Sequence, residues 1–215
     1  MKLNYGDIAA QKVSERIAEP VATLAALKDI PADRRVAGMT ALVTADQTRW
    51  RFHATSALTG DDVLVVAPTA GSGRWLLTPG GCTLVLPITF ATADAAVLLT
   101  LQAGQEFLLL EPFHKVTADW TGGTASTIGV SSNKTSFTTK GDILGGAAGA
   151  AAAALTATIG NCFGTIGAGF DTLAKRRVAL FAATDTVRHD RITSAFTAGT
   201  GSVNLMGILR RNDGA

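Results

Sequence analysis

The chain has 215 residues, of which 47% are hydrophobic, 17% charged and 6% aromatic, with 19 Lys and Arg against 17 Asp and Glu. So much apolar residue with so little net charge excludes an intrinsically disordered chain, and the balance of +2 lacks the concentrated basic face of a dedicated nucleic-acid binder. The length suits one or two domains, and chains of this size hide about 70% of their unfolded surface on folding.

The signs are unevenly spread: all four Glu lie at or before Glu111, while Lys175, Arg176, Arg177, Arg188, Arg191, Arg210 and Arg211 crowd the C-terminal third and read as solvated side chains. The opening, Met1 to Asp7, has no apolar run of the kind a secretory signal needs, so synthesis in a cytoplasm is expected. Cys82 and Cys162 are far apart, with no CxxC and no histidine pair beside them. They read as free thiols rather than zinc ligands. Ile143–Gly160 is long and uncharged, but Ala, Gly and Thr barely favour hydrocarbon, so it reads as a packed or looped segment, not a membrane span.

In chain order, Asp7–Ala18 spaces Ile8, Val13 and Ile17 among polar residues, which predicts a short amphipathic helix capped by Asp7. Pro20 interrupts it, and Val21–Lys28 predicts a further turn or two, closed by Pro31. Residues 1–31 are too short for a core and read as a docking arm that a partner orders. Strands follow at Ala41–Thr44, at Arg49–His53 with its period-2 alternation, at Val63–Val66 and at Arg74–Leu77, separated by turns at Asp46–Thr48 and Gly60–Asp62. Residues 32–79 thus form a small β-meander.

From residue 80 onward, strand-like runs lie at Cys82–Phe90, Ala95–Gln102, Glu106–Leu110, Lys115–Trp120, Ser126–Ser131, Val178–Ala182, Thr184–Arg188 and Gly201–Leu209. Short strands broken by Gly-rich turns predict a sandwich or barrel. The fold class is therefore mainly β. An antiparallel β-sandwich of jelly-roll type spans residues 80–215, with an Ala/Gly-rich insertion at about 143–160. A small β-meander and a short helical N-terminal arm precede it.

Catalytic chemistry is sparse. His53, His114 and His189 lack the spacing of a metal pair, and adjacent His189 and Asp190 face opposite sides of a strand. Gly129–Thr135 lacks the second glycine of a phosphate loop, and Gly164–Gly169 has the wrong offsets for a dinucleotide fingerprint. No serine sits in a nucleophile elbow and no carboxylates cluster as a calcium loop does. Trp50, Trp75 and Trp120 read as core or interface aromatics, with a sugar-stacking platform as the alternative.

Arg34-Arg35-Val36-Ala37-Gly38-Met39, Arg49-Trp50-Arg51-Phe52-His53, Ser56, Val65-Val66-Ala67-Pro68 and Gly71-Ser72-Gly73-Arg74-Trp75-Leu76 resemble a module found near the N-termini of tail-fibre and head-decoration proteins of tailed bacteriophages. Its pattern is R-x-x-G-x-x-V, then W-x-F-x-x-x-S, then V-x-x-P-x-x-G-x-G-R-W. Met39 and Leu42 lie near its usual valine, a mild departure, and Val21–Lys28 also fits. Trp120–Ser132, Lys140–Gly146 and Arg188–Gly199 are similar to a domain of phage structural proteins.

The resemblance implies a β-rich, oligomeric, non-enzymatic virion structural protein. As expectations, it is a capsid decoration (cement) or head-fibre subunit, made in a bacterial host's cytoplasm and incorporated into the virion. It docks on the major capsid protein or a neighbouring virion protein through Ile8, Val13, Ile17, Leu24, Leu27, Trp50, Arg74 and Trp75. A homotrimer is expected, with no cofactor, metal, nucleic acid or membrane. The alternatives are a head–tail connector or tail-fibre anchor and, in another class, a carbohydrate-binding module that stacks sugar on Trp120 or Trp75 near Asp119.

Overall fold

The structure, a computed structural model, describes residues 20–122, 126–145, 150–151, 155–156, 161–162, 167 and 179–213. It is mainly β, with antiparallel sheets consistent with a sandwich-like fold. The chain divides into two compact units, Met1–Pro79 with Asn212–Ala215, and Gly80–Arg211. No helix among the described residues is long and apolar enough to cross a membrane.

The first unit is built on a sheet of β1 (Thr40–Val43), β2 (Thr48–His53), β3 (Val65–Val66) and β4 (Arg74–Leu77), ordered β1-β2-β4-β3. Alternation on β2 sends Trp50 and Phe52 into the core and Arg49 and Arg51 outward. Across the antiparallel pair, Trp50 meets Leu77 and Phe52 meets Trp75, cross-strand contacts of the kind that stabilise a sheet. The meander expected from the sequence is present, although Val63 and Leu64 form a bend and not a strand. There Asp61 Oδ1 accepts from the amides of Val63, Leu64 and Val65 at 2.7–2.9 Å, fixing the turn as short acidic side chains do.

Residues 20–31 are part of this unit. Helix α1 (Leu24–Lys28) is capped by Thr23, whose Oγ1 accepts from the Ala26 amide at 3.2 Å. Val21 bridges to Val43, donating to the Leu42 carbonyl and accepting from Thr44, both at 2.9 Å. Leu27 is completely buried. The segment read as part of a free arm is therefore structural from Pro20 onward. The amphipathic helix expected at Asp7–Ala18 lies outside the described residues.

The second unit has two sheets. One contains β5 (Gly80–Thr89), β7 (Gln105–Gly122), β10 (Asn161–Cys162) and β13 (Phe196–Asn212) in the order β10-β7-β13-β5, with β11 (Leu180–Phe181) also on β7. The other is β6 (Ala96–Thr100), β12 (Thr186–Arg191), β8 (Thr127–Ser132) and β9 (Ala150–Ala151), in that order. Leu84, Leu86 and Ile88 of β5 lie opposite Leu205, Val203 and Gly201 of β13, with the leucines and the valine fully buried. Trp120 packs edge-on against Phe196 at 5.0 Å, and Phe137 stacks on Phe181 at 5.6 Å.

Two expectations change here. Glu106–Leu110 and Lys115–Trp120 are not separate strands: β7 runs through Pro112. The buried positions shift from Gln105, Phe107 and Leu109 to Pro112, His114 and Val116, with Leu110 and Glu111 both exposed between them. Such a slip in the alternation is what a bulge produces, and a bulge is where a strand tolerates a residue without an N–H. The Ala/Gly-rich stretch is also more than an insertion. Ala150–Ala151 pairs with Thr127–Ile128, and the Leu155 carbonyl accepts from the Trp120 amide at 3.0 Å.

Candidate functional site

Of the eight expected docking residues, Ile8, Val13 and Ile17 lie outside the described residues. The other five serve the first unit itself. Trp50 and Trp75 are 2% and 0% exposed, and burying a large apolar side chain contributes about 1.5–3 kcal/mol. Leu27 is buried and Leu24 half-buried on α1. Arg74, also half-buried, spends its guanidinium on the carbonyls of Leu58 (2.6 Å) and Gly73 (2.7 Å). Trp50, Trp75 and Leu27 are therefore corrected from partner contacts to core. An aromatic in a chain with few of them is as valuable inside a fifty-residue module as at an interface, and alternation on β2 places Trp50 inside.

The polar surface of this unit centres elsewhere. Arg35 lies 5.4 Å from the Phe52 ring, donates to the Ala70 carbonyl, and has no partner for Nε or Nη1. Phe52 in turn packs on Trp75 at 5.2 Å. Gly73, at φ +85°, lies under this stack: a Cβ there would sit 2.6 Å from Phe52 Cζ, so only glycine fits. The Gly-x-Gly-Arg-Trp stretch is thus a packing device, its glycine making room for the ring that Arg35 covers.

In the second unit, His114 of β7 and His189 of β12 are each 1% exposed. Neither nitrogen of His114 has a hydrogen-bond partner, nor has Nδ1 of His189. Burial, reinforced by the neighbouring His189, pushes His114 down to about 3. Burial and nearby Arg191 push His189 down to about 4. Asp190 turns the other way: its Oδ1 accepts from Ser131 Oγ at 2.8 Å and its Oδ2 from the Gly141 amide at 3.0 Å, while burial raises its pKa. Serine and carboxylate are joined here with no imidazole between them, so these residues do not form a nucleophile–base–orienter chain.

Among the described residues no three His, Cys, Asp or Glu side chains gather as metal ligands. The sugar-stacking platform is not formed, because Trp120 is 3% exposed and Trp75 fully covered. Cys82 is a free, half-buried thiol whose pKa burial raises. The side chain of Cys162 lies outside the described set.

What the second unit does present is one face of the β5–β13–β7 sheet. Val85 is 50%, Leu110 50%, Met206 42% and Ile208 39% exposed. Gly81, Cys82, Thr83, Leu110, Glu111, Met206 and Gly207 line a shallow groove there. Contiguous apolar exposure of this kind marks a contact surface. No single sequence run contains it, since Met206 and Thr83 come together only through the pairing of β5 with β13.

No protein-family model, no curated protein and no solved structure matches the chain.

Proposed function

We propose that the protein is a non-enzymatic structural subunit of a tailed-bacteriophage virion, a capsid decoration or head-fibre protein that docks through its N-terminal region. The observation that carries this reading is the phage-like pattern over residues 34–77, whose residues fall within a single compact unit. Two further features support it: a second unit rich in uncharged Thr, Ser, Gly and Ala, and an apolar sheet face left open on it. Cement proteins work by burying such area between shell subunits, at about 25 cal/mol per Å² of apolar surface.

The anchor is assigned to residues 1–19, because the stretch from Pro20 to Pro31 belongs to the folded unit. Deleting residues 1–19 is expected to abolish binding to capsids while leaving both units folded. Truncated protein that still saturates capsids would overturn the anchor. The same phage-like pattern also occurs in fibre N-termini, so a head–tail connector or fibre anchor is the second reading. Copy number in purified particles separates the two: hundreds of copies mean decoration, about a dozen a connector or fibre.

A further inference from the structure

Strand β5 ends its sheet: among the described residues its one strand neighbour is β13. The Phe90 amide donates to the Gly199 carbonyl at 3.0 Å, whereas the Thr89 amide turns away to Thr92 Oγ1 at 2.9 Å. In an antiparallel pair such directions alternate, so even-numbered residues of β5 bond to β13 and odd-numbered residues point their N–H and C=O out of the edge. Pro87, which has no N–H, sits at an odd position, as this parity requires. Thr89 is closed off, since its carbonyl also accepts from the Thr92 amide at 2.9 Å. Gly81, Thr83 and Val85 remain, exposed residues whose N–H and C=O are aimed outward with no partner among the described residues.

Natural edges are blunted by charge, proline or a bulge. The ten residues of β5 carry no charge, and the proline comes only at position 87. In sequence Thr83 is midway between Pro79 and Pro87. We propose that this edge pairs with the same edge of a second copy, antiparallel about a two-fold axis through Thr83. Thr83 then faces the partner's Thr83, and Gly81 faces the partner's Val85 at both ends, each of the three pairs exchanging two main-chain hydrogen bonds. The next pair outward is Pro87 with the partner's Pro79, neither of which has a donor to lose, so the prolines bound the ladder and set its register. Val85, half exposed in one copy, lies over the side-chain-free Gly81 of the other, and the apolar face continues across the junction. A two-fold contact is isologous and gives even-numbered assemblies, unlike the trimer expected from the sequence. It stands independently of the virion reading.

The test is sedimentation of the full chain at micromolar concentration, with a dimer expected. Thr83→Lys and Thr83→Pro are each expected to raise the dimer dissociation constant at least 100-fold, toward monomer, the lysine variant with unchanged circular dichroism should the proline variant fail to fold. In a Cys82→Ser, Cys162→Ser background, Thr83→Cys is expected to form an interchain disulfide, because directly opposed hydrogen-bonded residues lie about 5.5 Å apart at Cα. Lys115→Cys, exposed on β7, is expected to form none. A monomer at all concentrations, a trimer alone, or a dimer that survives Thr83→Lys and gives no Thr83→Cys crosslink would overturn the pairing.

Discussion

Asn212 and Leu64 are separated by 148 positions, yet the buried Asn212 side chain donates to the Leu64 carbonyl at 2.9 Å and to that of Leu77 at 3.0 Å. One amide thus ties the bend before β3 to the end of β4, with the chain returning to the first unit after building the second. Losing it removes the donor from the Leu77 carbonyl, whereas the Leu64 carbonyl keeps the Leu77 amide at 3.0 Å, and a buried acceptor left without its donor costs about 1–3 kcal/mol. Asn212→Ala is expected to lower the unfolding free energy of the first unit by that amount, seen as a lower denaturant midpoint and followed through the fluorescence of Trp50 and Trp75, with Trp120 of the second unit replaced by Phe to isolate the signal.

The two buried histidines give a pH dependence of definite sign. Both are neutral when folded, with values near 3 for His114 and 4 for His189, whereas in the unfolded chain they titrate near 6.5. The unfolded state therefore binds more protons, and stability falls as pH drops below about 6.5, until the folded values are reached. Between pH 7 and pH 5 each contributes a loss of about 2 kcal/mol. Asp190, raised by burial, acts oppositely: its folded form holds the proton more tightly, so its contribution grows as pH falls through its folded value. Urea unfolding at the two pH values is expected to show the loss in the native chain and roughly half of it in His114→Leu.

Gly199 has φ +134°, and a Cβ there would lie 2.6 Å from Trp120 Cγ. Gly199→Ala combines backbone strain with a collision against a buried ring, each costing about 1–3 kcal/mol. Thermal unfolding should reveal the loss; an unshifted midpoint would show that Trp120 moves aside freely.

Trp50→Ala and Trp75→Ala are expected to destabilise the first unit by about 3–5 kcal/mol, as buried aromatics do. Residues acting only as partner contacts would leave the unfolding transition in place while reducing binding. Equilibrium unfolding of both variants, set beside capsid binding of the chain lacking residues 1–19, separates these roles.

Local pattern carried most of the strands. Arg49–His53 alternates polar and aromatic residues, and its buried face is the one that alternation assigns. The turn at Gly60–Asp62 and the strand at Arg74–Leu77 were equally legible, because Gly, Asp and β-favouring residues act over a few positions. Pro112 misled, since a proline normally ends a strand and nothing nearby announces a bulge. The site was less legible than the fold. Tryptophan in a recognisable motif reads the same whether it is buried or bound to a partner; burial is decided by strands such as β4, far from β2 in the sequence. The nearness of His114 and His189, which lie on different sheets, and the open face around Val85 and Met206, which strand pairing assembles, depend on long-range contacts that no short window contains. The spacing of Pro79, Thr83 and Pro87 was visible, but it acquires meaning only once β5 is known to be an edge.

The return of the chain at Asn212 also has a consequence during synthesis. Leu77 leaves the ribosome 135 positions before the side chain that serves its carbonyl. At about 5–20 residues per second, that is a wait of roughly 7–27 s. Over that interval the nascent first unit has its sheet residues but not its last buried donor, so the module completes its folding only after the second unit has been translated.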